Sequence, residues 1–324
     1  MIKPGYRQEK DRMELIKHID NIKKPYKNAV ITIGNFDGVH IGHQALFHEV
    51  IEKAEALGGT SIVMTFEPHP TRVLKQNGHP ALITLYEQKI ELIEKSGVDV
   101  VICIPFTRQF ADISAQEFVE DLLVKRIGMK AIIVGRDYTF GKNREGNIDV
   151  LQTYAKNMGF EIIMANWIQT SNGIPGRISS TRTRELVIEG KVAEAKKMLG
   201  RNYQIRGIVT TGRDRGGKLL GFPTANIILH DELCPKNGVY AVTVECLDNR
   251  HLGVANIGYS PTFNNGKLFT VEVHILDFNQ NIYGQNIRVN FVERIRDEIK
   301  FPGIAELSEQ INKDIEKARV ILSS

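Results

Sequence analysis

The stretch Val30-Ile31-Thr32-Ile33-Gly34-Asn35-Phe36-Asp37-Gly38-Val39-His40-Ile41-Gly42-His43 constrains this chain more than any other. It opens as a short β-branched run and breaks at Asp37-Gly38. It then feeds a helical pattern whose apolar positions include Ala45, Leu46, Val50, Ile51 and Ala54. A strand, a glycine-containing turn and a helix in that order set backbone N–H groups and a positive dipole end at the strand's carboxyl edge. That is a site for phosphate. His40 and His43, three apart at the helix start, reach the same side of a phosphate bound there. Gly42 between them leaves room for a nucleotide to approach closely.

The chemistry that suits such a site is nucleotidyl transfer, attack of an oxyanion on the α-phosphate of a nucleotide. A phosphate nucleophile is already ionised and pyrophosphate is a tolerable leaving group. Positioning and neutralisation of developing charge can therefore carry the rate without a strong base. Two imidazoles donate hydrogen bonds there without the bulk of an arginine. Zinc ligation by the pair is disfavoured, because the His-Glu-x-x-His pattern needs i, i+4 spacing and a glutamate. The string His40-Ile41-Gly42-His43 is similar to the signature of the nucleotidyltransferase superfamily that includes class I aminoacyl-tRNA synthetases.

A chain of 324 residues, 42% hydrophobic and 25% charged, can form one large or two ordinary globular domains with a good core. It holds no apolar run of about eighteen residues, so no membrane span is expected. Residues 1–12 are polar and charged, lack the apolar segment of a secretory signal, and read as a loose extension. Cys103, Cys234 and Cys246 show no Cys-x-x-Cys spacing, which argues for a reducing, cytoplasmic setting and against disulfides or a zinc cluster. The net charge of +4 suits anionic nucleotides but is too mild and dispersed for a nucleic-acid surface. Self-association stays open.

The first half alternates strands and helices. Residues 60–66 read as a strand ended by Glu67-Pro68-His69-Pro70, 85–95 as a helix, and 98–105 as a strand buried on both faces. Ser114 and Glu117 form a capping box for a helix through Val124, and 130–134 is a buried strand leading into Gly135-Arg136-Asp137-Tyr138. The alternation predicts a doubly wound α/β sheet, whose ligands sit outside the carboxyl ends of its strands. The loops at Gly34-Asn35, Glu67-Pro68-His69 and Gly135-Arg136-Asp137 should then face one crevice. At 176–184, Ser179, Ser180 and Thr181 precede Arg182 and Arg184 at a helix N-terminus. Such a cluster can hold a triphosphate, or it can be an ordinary cap with surface arginines. Residues 185–199 read as one helix closed by Gly200, and the domain junction falls here.

Beyond the junction strands dominate, at 203–210, 224–229, 239–246, 252–257, 269–276 and 287–291. Six short strands predict an antiparallel β-barrel. A closing helix over 304–322 carries Leu307, Ile311, Ile315 and Ala318 on one face. The glycine-rich stretch 212–221, with Arg213, Arg215 and Lys218, can wrap phosphates through its backbone, although it lacks Walker A spacing. Thr224 and Asn226 beyond it are neutral oxygen donors suited to a magnesium–nucleotide. In Val271-Glu272-Val273-His274-Ile275, alternation puts Glu272 and His274 on one strand face. A carboxylate there, facing a phosphate loop, can deprotonate a hydroxyl; without the loop it reads as a solvent-facing glutamate on an edge strand.

Taken together, the segments 34–43, 65–70, 135–141, 178–184, 221–226, 256–262, 272–274 and 291–301, in this order, resemble the prokaryotic bifunctional riboflavin kinase/FAD synthetase family. The resemblance implies a HIGH-type nucleotidyltransferase domain over 13–185, a linker helix over 186–202 and a six-stranded riboflavin kinase barrel with a C-terminal helix over 203–324. The barrel would phosphorylate the ribityl 5′-hydroxyl of riboflavin from ATP and Mg2+ to give FMN. Glu272 would be the base, with Thr224 and Asn226 at metal and phosphates. Gly212, Gly216, Lys218, Gly221, Pro223 and Arg294 would line the ATP and flavin site. The N-terminal domain would adenylylate FMN with a second ATP to give FAD and pyrophosphate. His40 and His43 would be catalytic there, and Gly34, Asn35, Asp37, Gly42, Asp137, Ser179, Ser180, Thr181 and Arg182 would bind ATP and FMN. Two positions depart from the family. Lys218 stands where arginine is usual, keeping charge and losing the bidentate fork, and Tyr138 stands where phenylalanine is commoner.

Other classes compete with this reading. An aminoacyl-tRNA synthetase shares the His40–His43 string, but the chain has no Lys-Met-Ser-Lys-Ser-like loop. A non-enzymatic flavin-binding regulator would need neither the histidines nor Glu272. A monofunctional enzyme would have lost one half's polar residues, and both sets stand here.

Overall fold

A computed structural model describes residues 13–75, 80–165, 177–210, 222–229, 231–261 and 267–323. Its contacts divide the chain into two compact units. One takes in the described residues up to Pro80 and from Thr84 to 165; the other takes in Ala81–Ile83 and the described residues from 177 onward. The glycine-loop residues Gly212, Gly216, Lys218 and Gly221, and the segment 1–12, lie outside the described residues.

The first unit runs β1 (Glu14–Ile16), β2 (Ala29–Ile33), α1 (Ile41–Ala56), β3 (Ser61–Glu67), α2 (Pro70–Leu74), α3 (Tyr86–Glu94) and β4 (Val100–Pro105). It continues through α4 (Arg108–Ala111), α5 (Glu117–Ile127), β5 (Met129–Val134), α6 (Ile148–Met158) and β6 (Glu161–Met164). All six strands are parallel, in the order β1-β4-β3-β2-β5-β6. β2 is buried throughout, and its side chains alternate between faces. Ile31 and Ile33 pack with Ile62, Ile102, Phe118 and Leu123, while Val30 packs with Val50, Ala54, Ala131 and Ile133. The chain winds outward from β2 to β3 and β4, then returns to lay β5 on the other side of β2. The order reverses there, and open α/β sheets bind ligands at such points.

The capping box forms as expected: Glu117 N–H donates to Ser114 Oγ at 3.2 Å, and Ser114 N–H to Glu117 Oε2 at 3.1 Å. The sequence pattern does not anticipate β1, α6 or β6. β1 has only three residues and β6 shows no fully buried face. α6 does carry a stripe of helical period, with Leu151 in the core and Tyr154, Ala155 and Met158, partly buried, packed against it.

One expectation is corrected. Residues 185–199 are not a single helix but α7 (Ser180–Ile188) and α8 (Val192–Leu199), parted at Gly190, whose φ is 77°. A Cβ at Gly190 would lie 2.7 Å from Arg294 Cδ, so the left-handed glycine also serves a close approach.

The second unit continues with β7 (Tyr203–Ile208), β8 (Ala225–Ile228), β9 (Gly238–Cys246), β10 (Asn249–Pro261), β11 (Lys267–Ile275), β12 (Asn286–Arg296) and α9 (Ile304–Ser323). The strands are antiparallel in the order β7-β12-β9-β10-β11-β8. Thr210 N–H donates to Asn226 O at 2.9 Å, bringing the two edges together into a nearly closed barrel. Ile205, Val242, Val244, Ala255, Val271, Val273, Val289 and Phe291 are fully buried. α9 covers part of the outer surface, packing Ile315, Ala318, Ile321 and Leu322 on Val239, Ala241, Val254 and Ile295. Asp314, buried on that helix, accepts Arg296 Nη2 at 2.7 Å and Nε at 3.0 Å, so its charge is met by a guanidinium.

Candidate functional site

β2 ends at Ile33 and delivers the histidine turn to the point where the strand order reverses. His40 is the N-cap of α1, and its Nδ1 accepts the His43 N–H at 3.2 Å. An accepting Nδ1 leaves the proton of the neutral ring on Nε2. The two imidazoles stack, with centroids 3.5 Å apart and planes at 19°, and Phe36 meets His43 edge-on at 5.2 Å. Burial, then the neighbouring His40, pushes His43 well below the ordinary histidine range. His43 is therefore neutral at physiological pH, and close stacking of the rings carries no charge penalty. Its Nδ1 is buried without a hydrogen-bond partner in the structure. Such a group costs roughly 1–3 kcal/mol and calls for a functional account.

The same edge gathers the other expected loops, because β3, β2 and β5 are adjacent. Thr65 Oγ1 donates to Asn35 O at 3.3 Å, and Gly34 N–H to Met64 O at 3.1 Å. Glycine is needed at 34, where a Cβ would come within 2.9 Å of the Phe36 ring. Asp37 is buried and accepts the Thr84 N–H at 3.1 Å. Gly42 sits in the first turn of α1, where backbone N–H groups have no helical acceptors. His69 caps α2 by accepting the Thr71 N–H at 3.3 Å. Asp137 is exposed in the turn after β5, where Tyr138 N–H donates to Gly135 O at 3.1 Å.

Sequence reasoning missed three features of this edge. Thr84 is one. Lys89 is another: buried on α3, it donates to Phe66 O at 3.1 Å and lies 3.8 Å from Glu67 Oε2, with burial lowering its ammonium below the usual lysine range. The third is an aromatic row running from Phe66 and Phe106 through Phe110 and Phe118 to Phe140 and Tyr138, with successive centroids 5.5 to 6.4 Å apart. The signal was present, since Phe66, Phe106 and Tyr138 each stand at or just past the end of a strand. Burial raises the Tyr138 phenol above its ordinary range.

Ser179, Ser180, Thr181 and Arg182 begin α7. Ser179 Oγ accepts the Arg182 N–H at 3.2 Å as N-cap, and Arg182 Nη1 lies 3.0 Å from Glu185 Oε2. This helix belongs to the second compact unit.

In the barrel, register builds the second constellation. Glu272 on β11 pairs with Asn226 on β8 and with Asn256 on β10, setting the three across neighbouring strands on the outer face. β11 lies between β10 and β8, so Glu272 is not on an edge strand. Glu272 is exposed on that face, and partial desolvation by the protein around it raises its carboxyl above the usual carboxylate range. His274, two residues on, meets Pro223 O through Nδ1 at 2.8 Å, and a carbonyl only accepts, so that nitrogen carries the proton. Phe222 packs edge-on to the same imidazole at 5.6 Å. The histidine thereby fixes the segment leading into Thr224, whose carbonyl lies 3.4 Å from Asn226 Nδ2. Arg294 is held by Asn237 O at 2.5 Å and Asp297 Oδ1 at 2.7 Å, at the opposite side of β9 from β10. Asn256 opens the 256–262 segment that carries part of the sequence resemblance, but no role was read for it there; the register sets it beside Glu272.

Comparison with known proteins gives two family matches: FAD synthetase over residues 22–182 and riboflavin kinase over residues 199–322. A bifunctional riboflavin kinase/FMN adenylyltransferase of Haemophilus influenzae is 41% identical over 313 residues, spanning 96% of this chain and 100% of its own. Its namesake in Escherichia coli K12 is 40% identical over 309 residues, spanning 95% and 97%. A solved structure described as a macrolide-efflux protein from Streptococcus pneumoniae is 35% identical, with a TM-score of 0.84 over 95% of this chain and 98% of that one. Among the described residues, no helix is long and apolar enough to cross a membrane.

Proposed function

The chain belongs to the bifunctional riboflavin kinase/FMN adenylyltransferase family, and we propose that it runs its two reactions at separate sites, around His40 and His43 and around Glu272. It phosphorylates riboflavin with ATP to give FMN, and adenylylates FMN with ATP to give FAD and pyrophosphate.

In the second reaction a phosphate oxygen of FMN bonds to the α-phosphorus of ATP and pyrophosphate leaves. The nucleophile arrives ionised, so the protein's work is alignment and charge. His40 and His43 act as neutral N–H donors to the phosphates, beside the first-turn amides of α1. Gly34, Asn35, Asp37 and Gly42 build the turn, and Asp137 joins them at the next strand end. The aromatic row along that edge suits a flat flavin ring. Ser179, Ser180, Thr181 and Arg182 are assigned to the same ATP; their support is the sequence resemblance, and they fall within the 22–182 match. We accordingly take 13–185 as the transferase, 186–202 as linker and 203–324 as the kinase.

In the first reaction Glu272 takes the proton of the ribityl 5′-hydroxyl as that oxygen bonds to the γ-phosphorus and ADP leaves. A carboxyl with raised proton affinity suits this task better than an ordinary one. Thr224 and Asn226 offer neutral oxygens, the donor type a hard divalent cation accepts, and would hold Mg2+ arriving with ATP. Bound there, Mg2+ neutralises phosphate charge. Pro223 leads into this site through its contact with His274. Arg294, which lies across β9 from β10, and Gly212, Gly216, Lys218 and Gly221 are assigned to the kinase on the sequence resemblance alone. The three cysteines are free, in keeping with a cytoplasmic setting.

The observation that carries the two-site reading is the stacked histidine pair at the strand-order reversal, in a unit whose core is its own. The test is a product assay with riboflavin, ATP and magnesium, the flavins being separated by chromatography. FMN followed by FAD is expected; FAD made without the histidines would overturn the assignment.

A further inference from the structure

The turn that presents His40 adopts an unusual backbone. Phe36, Gly38 and Val39 have φ of 48°, 84° and 39°, so two of three left-handed residues in a four-residue span are not glycine. Bulky Phe36 and β-branched Val39 disfavour that region, and such conformations persist only where the surroundings over-determine them. Local bonds contribute: Val39 N–H donates to Phe36 O at 3.1 Å, and Gln44 Nε2 to Val39 O at 2.8 Å. Both side chains are buried, Phe36 against Phe47 and His43.

One clamp comes from far along the chain. Thr84, 46 residues past Gly38, accepts the Gly38 N–H on Oγ1 at 3.0 Å. Its own N–H donates to Asp37 Oδ1 at 3.1 Å, and its hydroxyl points to the same oxygen at 3.5 Å. A hydroxyl can accept and donate at once, so Thr84 can tie both the backbone donor and the side-chain acceptor of the turn. Thr84 and Asp37 are each at 4% exposure, where a lost partner is not replaced by water. Two residues later the chain reaches His40 at φ −70°, ψ 168°, the conformation in which its ring caps α1.

We propose that Thr84 is a positioning residue for adenylyl transfer: its hydroxyl fixes the Asp37-Gly38 turn, and through it the placement of the His40 and His43 rings on the phosphates. This deepens the assignment of the histidines above and rests on it. Donors preset toward developing charge act on the transition state, and small displacements of them cost rate more than binding.

The experiment compares the full-length wild type with Thr84→Val, which keeps shape and the backbone donor, and Thr84→Ser, which keeps the hydroxyl. Conversion of supplied FMN to FAD is followed at varied ATP. Thermal unfolding and circular dichroism of the same preparations check that the unit carrying Thr84 is folded, and riboflavin phosphorylation calibrates the enzyme concentration. Thr84→Val is expected to lower kcat about tenfold with little change in the KM for ATP. Thr84→Ser should recover most of the rate, and phosphorylation should be unchanged in both. If Thr84→Val does not fold, Thr84→Ala replaces it in the same comparison. A hydroxyl-free variant as fast as wild type overturns the inference, as do a serine variant no faster than valine or a loss confined to KM. The parent reading fails separately, if His43→Ala still makes FAD at the wild-type rate.

Discussion

The histidine turn and the Glu272 row are built in opposite ways. The turn is local in sequence, left-handed at three positions and buried, and the ring it presents is pushed toward neutrality. The row draws Asn226, Asn256 and Glu272 from three strands, needs no unusual backbone, and lies on an outer face that α9 only partly covers. The difference follows the chemistry. A nucleophile that arrives ionised needs donors set in advance, which a strained turn held by its surroundings can provide. A hydroxyl needs a proton acceptor that its substrate can reach, which an open sheet face provides by register alone.

Removing each centre should break the comparison most sharply. Glu272→Ala should slow FMN formation by roughly 10²–10⁴-fold, the usual contribution of a general base, while supplied FMN still becomes FAD. Quantifying both flavins after incubation with riboflavin, and separately with FMN, checks this. His43→Ala should do the reverse: FAD formation falls by roughly 10²–10³-fold, as when one preset donor to developing charge is removed, and FMN accumulates. A variant that loses both activities in a folded chain would mean the sites are not independent.

A smaller effect sharpens the kinase side. His274→Phe keeps an aromatic edge against Phe222 but removes the hydrogen bond to Pro223 O. The segment carrying Thr224 should loosen, raising the KM for ATP in riboflavin phosphorylation about tenfold, the scale of one hydrogen bond to a fixed group. FAD formation from supplied FMN is the control and should not move.

How legible each site was in sequence tracks the same contrast. The turn was readable because strand, glycine, histidines and helix follow one another, and the parallel sheet followed from buried strands alternating with helices. The barrel's strands were readable from alternation, and so was the shared face of Glu272 and His274. Partnerships made by tertiary contact were not. Thr84 sits in an unremarkable stretch before a helix, and nothing local says that its hydroxyl meets Gly38. Asn256 becomes Glu272's neighbour only through register, and Asp314 is a polar interruption of an apolar helix stripe until Arg296 is seen against it. The break at Gly190 was hidden because a helical pattern on both sides outweighed one glycine, whose reason is the distant Arg294.

The smallest effect separates the two sites by pH. As the proposed base Glu272 would act only when ionised, and its raised carboxyl means that riboflavin phosphorylation should fade on acidification earlier than an ordinary glutamate would dictate. His43, held well below the usual histidine value of 6.5, stays neutral over that interval, so adenylylation of supplied FMN should persist. Stability carries the opposite signs. Below pH 6.5 the unfolded chain protonates His43 and the folded chain does not, so this histidine's contribution to stability is lost as pH falls. The folded barrel binds the Glu272 proton more readily than the unfolded chain, so Glu272's contribution is present at low pH and lost as pH rises through its raised value. Thermal unfolding at stepped pH, wild type beside His43→Asn, reads the first of these: the variant should lose less stability than wild type between pH 7 and 5. Parallel curves for the two proteins would show that His43 is not the group held neutral, and would remove the electrostatic side of the comparison.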